Sequence, residues 1–246
     1  MSRTAWIVFI VLIVGVLGGL IFLSRSEQLN VDDVDTFQIQ AASADNGNIG
    51  DHVMGEADAP VQIIEYGDYQ CPGCSVAAPT IKEVAEEYKD KGVMLVFRNF
   101  PLVSIHPNAL AAASAAEAAG LQGKFWEMHD QLYATQSTWE GLSGEQRTDV
   151  FAGYAESLGL DIEQFNADVT SDAVAQKIDF DIALGRKKGI TGTPSIYVNG
   201  ENYSSSRVVD GKLSSDTSGE YVWSDSNNFI ELVIKPALEK AGVTVE

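Results

Sequence analysis

Two cysteines separated by two residues are the part of this sequence best suited to chemistry. Cys71, Pro72, Gly73 and Cys74 form the motif CPGC, and the chain has no other cysteine. Residues three apart on a helix have Cβ atoms about 5–6 Å apart, which is close enough for their sulfurs to form a disulfide. The pair can therefore alternate between a dithiol and a disulfide.

The position of the motif at the start of a predicted helix favours one nucleophilic sulfur. Pro72 suits the first helical position, because the N–H that proline lacks would be unpaired there anyway. With Cys71 as the N-cap, the backbone N–H groups that follow it and the positive end of the helix dipole favour a thiolate. The thiolate is the reactive form of cysteine. We therefore predict that Cys71 attacks and that Cys74 resolves the intermediate.

Two other roles for the cysteines stay open. A structural disulfide across so short a loop would add little stability. A structural zinc site needs four ligands, and the histidines that could join the cysteines are only His52, His106 and His129. The spacing and its context favour a redox pair, with no metal and no cofactor.

The surrounding pattern predicts an α/β domain with a helical insertion. Three short apolar runs are typical of buried strands: Val61–Tyr66, Val93–Phe97 and Ser195–Val198. Amphipathic helical spacing occupies Ser75–Lys89, most of about 105–189, and Phe229–Ala241. The Ser- and Asp-rich stretch from about 201 to 226 is typical of a hairpin with a long loop.

The N-terminus has the composition of a membrane anchor. No charged residue stands between Ala5 and Leu23, and a helix of about 19 residues spans roughly 28 Å, close to the hydrocarbon thickness of a bilayer. Arg3 precedes this run and acidic residues follow it beyond Arg25, which favours a cytoplasmic N-terminus. A cleaved signal peptide is the alternative. Both interpretations place the domain outside the cytoplasm.

These patterns divide the chain into three predicted parts. Residues 1–25 are the anchor, the polar residues 26–51 are a flexible linker, and residues 52–246 are the globular domain. The 246-residue chain has 35 acidic and 16 basic residues, for a net charge of −19. Because affinity for nucleic acid depends on clustered cations, this balance argues against a nucleic-acid-binding protein.

Four stretches together resemble one known family. They are GEADAPVQIIEYGDYQCPGC ending at Cys74, FRNFPL at Phe97–Leu102, FWEMH at Phe125–His129 and GITGTPS at Gly189–Ser195. On these motifs the chain resembles the DsbA-like thiol–disulfide oxidoreductases of the thioredoxin superfamily. Their combination is far more specific than a CxxC motif alone.

The resemblance implies a thioredoxin fold with an inserted helical domain, and a dithiol that exchanges disulfides with exported proteins. Pro194 matches the family's cis-proline, which faces the cysteines and contacts substrate. The implied substrate groove consists of Pro72, Gly73, Thr193 and Pro194, with the Thr193 backbone pairing to an extended substrate segment.

Glu65 lies six residues before Cys71, where the superfamily often holds a buried acid. The resemblance therefore implies a general base for Cys74, and the place of Glu65 at the end of an apolar strand favours burial and a raised pKa. A solvated or turn-capping glutamate is the alternative. Asp68 is expected to shape the turn rather than to take part in chemistry.

The dipeptide between the cysteines departs from the family pattern. It contains no histidine, and a histidine there would stabilise the thiolate. With Glu65 and Asp68 nearby, we expect a pKa for Cys71 nearer to about 7 than to about 3.5. The redox potential is then expected between about −270 and −120 mV, in the reducing half of that range.

We therefore predict a single-pass membrane protein whose domain exchanges disulfides outside the cytoplasm. Its expected partners are the thiols and disulfides of exported proteins and a membrane redox protein that resets the dithiol. One alternative is a membrane-tethered reductase, for example in apocytochrome maturation. Another is a tethered binding module or chaperone that uses the groove without redox turnover.

Overall fold

The computed structural model describes Trp6, Ile13 and residues 29–244, and the chain divides into two units, Met1–Asp33 and Val34–Glu246. Apart from Trp6 and Ile13, the predicted membrane anchor lies outside the described residues. Within the described part of the chain, no helix combines the length and the apolar character needed to cross a membrane. The architecture that follows is that of the second unit.

A five-stranded mixed sheet forms the centre of the second unit. Its strands are β1 (His52–Met54), β2 (Val61–Gly67), β3 (Val93–Asn99), β4 (Ser195–Val198) and β5 (Glu201–Asn202), in the order β1-β3-β2-β4-β5. The central strands β2 and β3 are parallel, and the other pairs are antiparallel. Almost every residue of the two central strands is buried, because elements cover both faces of the sheet. The three predicted strands are confirmed, and the three-residue β1 is too short to show a sequence pattern.

Helices account for most of the remaining chain. Helix α1 (Pro72–Tyr88) connects β2 to β3. The predicted insertion is confirmed and consists of α2 (Ala109–Leu121), α3 (Phe125–Ala134), α4 (Gln136–Trp139), α5 (Gly144–Ser157), α6 (Ile162–Val169) and α7 (Asp172–Lys187). The final helical segment runs through α8 (Ser226–Phe229), a π-helical turn (Ile230–Ile234) and α9 (Lys235–Lys240).

The Ser- and Asp-rich stretch forms a small second sheet instead of a single hairpin. Its strands are β6 (Arg207–Val209), β7 (Lys212–Ser214) and β8 (Glu220–Tyr221), in the order β7-β6-β8. The Arg207 guanidinium lies 3.4 Å from the centre of the Tyr221 ring and donates a hydrogen bond to the Gly219 carbonyl. These two contacts hold β6 against the chain around β8.

The prediction of a flexible linker over residues 26–51 is corrected for residues 34–51, which make defined contacts with the sheet. Within the second unit, residues 34–51 are held by the buried side chain of Arg98 on β3. Its guanidinium donates hydrogen bonds to the carbonyls of Thr36 at 2.6 Å and Gln38 at 2.8 Å. The polar composition of this segment suggested a solvated tether. Its backbone carbonyls instead accept hydrogen bonds from the buried Arg98 guanidinium.

Asp51 also attaches residues 34–51 to the sheet, through buried ion pairs. Its carboxylate lies 2.7 Å from the Arg98 guanidinium and 3.2 Å from the Lys177 ammonium, and all three side chains are inaccessible to solvent. Burial pushes the pKa of Asp51 upward, but the charges of Lys177 and Arg98 outweigh burial and hold it below 3.8. The segment before β1 is thus tied to the sheet through an ion cluster.

Replacing Asp51 by alanine is therefore expected to destabilise the protein by about 3–5 kcal/mol, because two buried cations lose their shared anion. Unfolding of the full-length protein by guanidinium chloride measures the change. Asp45→Ala is the matched control, since Asp45 is exposed in the same segment. Equal midpoints for the two variants would show that the ion cluster does not hold this segment.

Candidate active site

The CPGC motif begins helix α1 as the sequence predicts. Cys71 is the N-cap in an extended conformation, and Pro72 occupies the first turn. Cys71 Sγ lies 3.3 Å from the Thr193 carbonyl oxygen, to which its protonated form donates a hydrogen bond. Both cysteines are buried, but Cys71 keeps 8% of its surface exposed whereas Cys74 is 0% exposed.

Pro194 faces the motif from far along the chain. The Thr193–Pro194 peptide bond is cis, as the resemblance implies. A Cβ atom placed on Gly73 would lie 3.1 Å from Pro194 Cδ and 3.7 Å from Cys71 Sγ. The predicted groove residues are therefore brought together, and a glycine between the cysteines permits this close approach.

The pKa of Cys71 is lowered from 9.0 to about 5. The hydrogen bond from the Cys74 thiol is the largest cause, burial opposes it, and the backbone N–H groups of Cys74 and Gly73 add to the lowering. The expectation of a pKa nearer 7 is therefore wrong. That expectation was based on the absence of a histidine between the cysteines. The Cys74 thiol and the backbone N–H groups at the helix start stabilise the Cys71 thiolate instead.

The pKa of Cys74 is shifted in the opposite direction. Burial raises its pKa well above the ordinary value, and the neighbouring Cys71 and Glu65 raise it further. The Asp68 backbone N–H donates a hydrogen bond to Cys74 Sγ at 3.5 Å. The motif thus holds one sulfur as a thiolate and the other as a thiol at neutral pH.

Glu65 is fully buried on β2, opposite Phe97 on one side and Ile196 on the other. Neither carboxyl oxygen has a hydrogen-bond partner among the described residues. Burial raises the pKa of Glu65 from 4.5 to about 8. The alternative of a solvated or turn-capping glutamate is therefore wrong, and the side chain can exchange a proton near neutral pH.

Asp68 shapes the turn before the motif, as predicted. Its carboxylate accepts hydrogen bonds from the backbone N–H of Gln70 at 2.8 Å and of Leu102 at 2.8 Å. It also lies 2.7 Å from Nδ1 of His106. Sequence reasoning missed the part played by His106, because its partner lies 38 positions away.

His129 is buried among aromatic rings on α3. Its Nδ1 lies 3.1 Å from the carboxylate of Asp130. Burial lowers the pKa of His129. The surrounding rings belong to Tyr69, Phe97, Phe125, Trp126 and Tyr133. Over residues 29–244, no cluster of three His, Cys, Asp or Glu side chains has the arrangement needed for a metal ion.

Comparison with known proteins identifies a similar family and similar structures. A family model described as Thioredoxin matches residues 47–214. The probable disulfide bond formation protein D of Bacillus anthracis is 36% identical over 152 residues, covering 60% of this chain and 69% of that protein. A Na⁺/H⁺ antiporter NhaA 1 of Salinispora arenicola is 39% identical over 168 residues, but the matched segment spans only 24% of that protein.

Two solved structures extend the likeness over most of the chain. BdbD from Bacillus subtilis, in its oxidised form, is 25% identical with a TM-score of 0.57, covering 84% of this chain and 98% of that one. The α-DsbA1 protein of Wolbachia pipientis is also 25% identical, with a TM-score of 0.59 and coverage of 78% and 92%.

Proposed function

This chain belongs to the thioredoxin superfamily as a DsbA-like member, and from that membership we propose that it is an extracytoplasmic protein-disulfide oxidoreductase. The observation that carries the proposal is the sulfur of Cys71, which is 8% exposed and lies 3.3 Å from the Thr193 carbonyl and beside Pro194. Disulfide exchange requires a nucleophilic sulfur that a substrate can reach.

The exchange proceeds in two thiol–disulfide exchange steps. A substrate thiolate attacks Cys71 Sγ of the oxidised protein, the Cys71–Cys74 bond breaks, and Cys74 leaves as a thiolate that takes a proton. A second substrate thiolate then attacks the substrate sulfur of the mixed disulfide, and Cys71 leaves as a thiolate. The substrate gains a disulfide and the protein becomes a dithiol.

The residues around the motif have separate roles in substrate binding and proton transfer. Thr193 and Pro194 form one wall of the groove, where an extended substrate segment pairs with the Thr193 backbone. Pro72 and Gly73 form the opposite wall. Glu65 acts as general acid or base for Cys74, because its pKa of about 8 allows it to give or accept a proton near neutral pH.

The thiol chemistry favours the oxidising direction. A pKa of about 5 for Cys71, in place of about 7, stabilises the reduced dithiol at pH 7 by about 2.3 kcal/mol and raises the potential by roughly 50 mV. This moves the expected potential upward within the range of about −270 to −120 mV. The relative in Bacillus anthracis carries the name disulfide bond formation protein.

We expect the full-length protein to show a thiolate absorbance midpoint near pH 5 and a redox potential above about −220 mV against glutathione. Cys74→Ser is the control for the assignment of the absorbance, since it leaves Cys71 as the one thiol. A midpoint of about 7 or above, with a potential near −270 mV, would instead favour the reductase alternative.

The site of action is proposed from the N-terminal composition. The uncharged run Ala5–Leu23 anchors the chain in the membrane, with its N-terminus in the cytoplasm and the domain outside. A membrane redox protein resets the dithiol after each exchange with an exported protein. The homologous segment of proteins named Na⁺/H⁺ antiporters is consistent with work at a membrane. The match covers only 24% of that chain, so it does not extend ion transport to this protein.

A further inference from the structure

A single peptide group presents an N–H to the resolving sulfur. The Asp68 N–H donates to Cys74 Sγ at 3.5 Å. The carbonyl of the same peptide group, that of Gly67, accepts a hydrogen bond from the Phe100 N–H at 2.8 Å. Because β2 ends at Gly67, this peptide group lies where the pairing of the sheet stops. Its orientation therefore depends on the loop of residues 100–108, which connects β3 to α2, and on the side chain of Asp68.

The Asp68 carboxylate accepts three hydrogen bonds in the interior of the domain. Its Oδ1 accepts the Gln70 N–H at 2.8 Å, and its Oδ2 accepts the Leu102 N–H at 2.8 Å. The third donor is Nδ1 of His106, 2.7 Å from Oδ2. A carboxylate only accepts hydrogen bonds, so Nδ1 carries the proton. Among residues 29–244, His106 supplies the one side-chain donor to this carboxylate.

His106 also fastens the 100–108 loop to the turn before the motif. The His106 side chain is 16% exposed, whereas the Asp68 side chain is 0% exposed. The His106 N–H donates to the Leu102 carbonyl at 2.9 Å, and the Asn108 N–H donates to Gln70 Oε1 at 2.7 Å. Removal of the imidazole would leave a buried carboxylate short of a donor, which costs free energy unless the carboxylate turns toward water. Such a turn would displace the Asp68 backbone.

We propose that His106 is a positioning residue, which through its hydrogen bond to Asp68 holds the Asp68 N–H against Cys74 Sγ when this sulfur attacks the mixed disulfide. The inference rests on the proposed function and assigns His106 to one of its steps. In that step Cys74 gives its proton to Glu65 and its sulfur forms a bond to Cys71 Sγ. The bond between Cys71 and the substrate sulfur breaks, and the substrate leaves as a thiolate.

The effect of His106 is confined to the second cysteine. Burial raises the pKa of Cys74, and the Asp68 N–H opposes this by stabilising the thiolate. The Cys71 thiolate depends on other groups, which are the Cys74 thiol and the backbone N–H groups of Cys74 and Gly73. A change at His106 is therefore expected to slow the attack by Cys74 and to leave the attack by Cys71 unchanged.

His106→Leu and His106→Asn form a matched pair of variants. Leucine and asparagine have the same shape, but only asparagine places an N–H donor near the position of Nδ1. The reduced full-length protein is mixed with an excess of dithiobis(nitrobenzoate), and release of the coloured thiolate is followed by stopped flow. The phase whose rate is proportional to the reagent concentration reports attack by Cys71. The phase whose rate is independent of it reports attack by Cys74 on the mixed disulfide.

We expect His106→Leu to slow the concentration-independent phase about tenfold, because a hydrogen bond to a charged sulfur is lost. The concentration-dependent phase should stay within about twofold of the wild type. His106→Asn should restore the slowed phase. Val103→Ala is the control for a disturbance of the loop, since Val103 is 58% exposed in the same turn, and it should change neither phase.

Three results would overturn the inference and leave the proposed function intact. The first is a concentration-independent phase in His106→Leu within about twofold of the wild type. The second is a failure of His106→Asn to restore this phase. The third is an equal slowing of both phases in His106→Leu, which would indicate a disturbed helix start instead of one displaced N–H. If wild-type Cys71 gave no concentration-dependent phase, the proposed function itself would be contradicted.

Discussion

Replacement of Cys71 by serine is expected to abolish disulfide exchange, with a rate loss on the order of 10³-fold or more, because a serine hydroxyl is not ionised at neutral pH and cannot form a disulfide. The structure gives the reason that Cys74 cannot take over: it is 0% exposed and burial raises its pKa. The measurement is the rate at which the oxidised full-length protein introduces a disulfide into a reduced peptide with two cysteines.

Cys74→Ser is the informative partner of this variant. Cys71 remains a thiolate able to attack a disulfide, but no second sulfur follows, so the protein should accumulate as a mixed disulfide with its substrate. A gel without reductant shows this adduct, and addition of reductant removes it. If Cys71→Ser kept the full effect of the protein on its substrates, the tethered binding module or chaperone would replace the oxidoreductase.

Glu65→Gln is expected to stabilise the protein by about 3 kcal/mol at pH 7 and to leave its stability unchanged near pH 4. Burial raises the pKa of Glu65 from 4.5 to about 8. Between these values the folded state binds a proton that the unfolded state has released, so the stability of the wild type falls as the pH rises from about 4.5 to about 8. Glutamine resembles the protonated acid at every pH and avoids this loss.

Unfolding by urea at a series of pH values measures the difference between the two proteins. Glu56→Gln is the matched control, since Glu56 is exposed and its replacement should change stability by less than about 0.5 kcal/mol. Stability curves for Glu65→Gln and the wild type that stay parallel from pH 4 to 8 would contradict a carboxyl buried without a partner.

The elements that hold the motif could be predicted because each has a strong local pattern. The apolar runs of β2, β3 and β4 and the amphipathic block of the insertion follow their own periodicities. The position of Cys71 before Pro72 is also a local signal, and it locates the helix start correctly. The place of Glu65 at the end of an apolar strand correctly indicated burial.

The contacts that span long distances in sequence could not be predicted. Residues 34–51 are polar, and nothing local shows that Arg98 takes their carbonyls as partners. His106 likewise gives no local sign of its contact with Asp68. The pKa of Cys71 depends on the distance between two sulfurs and on helix geometry, which a count of nearby charged residues does not provide.

The close approach of Gly73 to Pro194 has a consequence for how such a protein can vary. With only 3.1 Å between a Cβ at position 73 and the proline ring, a residue larger than glycine requires a shift of the Thr193–Pro194 segment, the proposed wall of the substrate groove. The same position flanks both sulfurs and so influences how readily they accept electrons. A substitution at position 73 is therefore expected to change both the affinity for substrate and the redox potential. Neither property can evolve independently of the other through this residue.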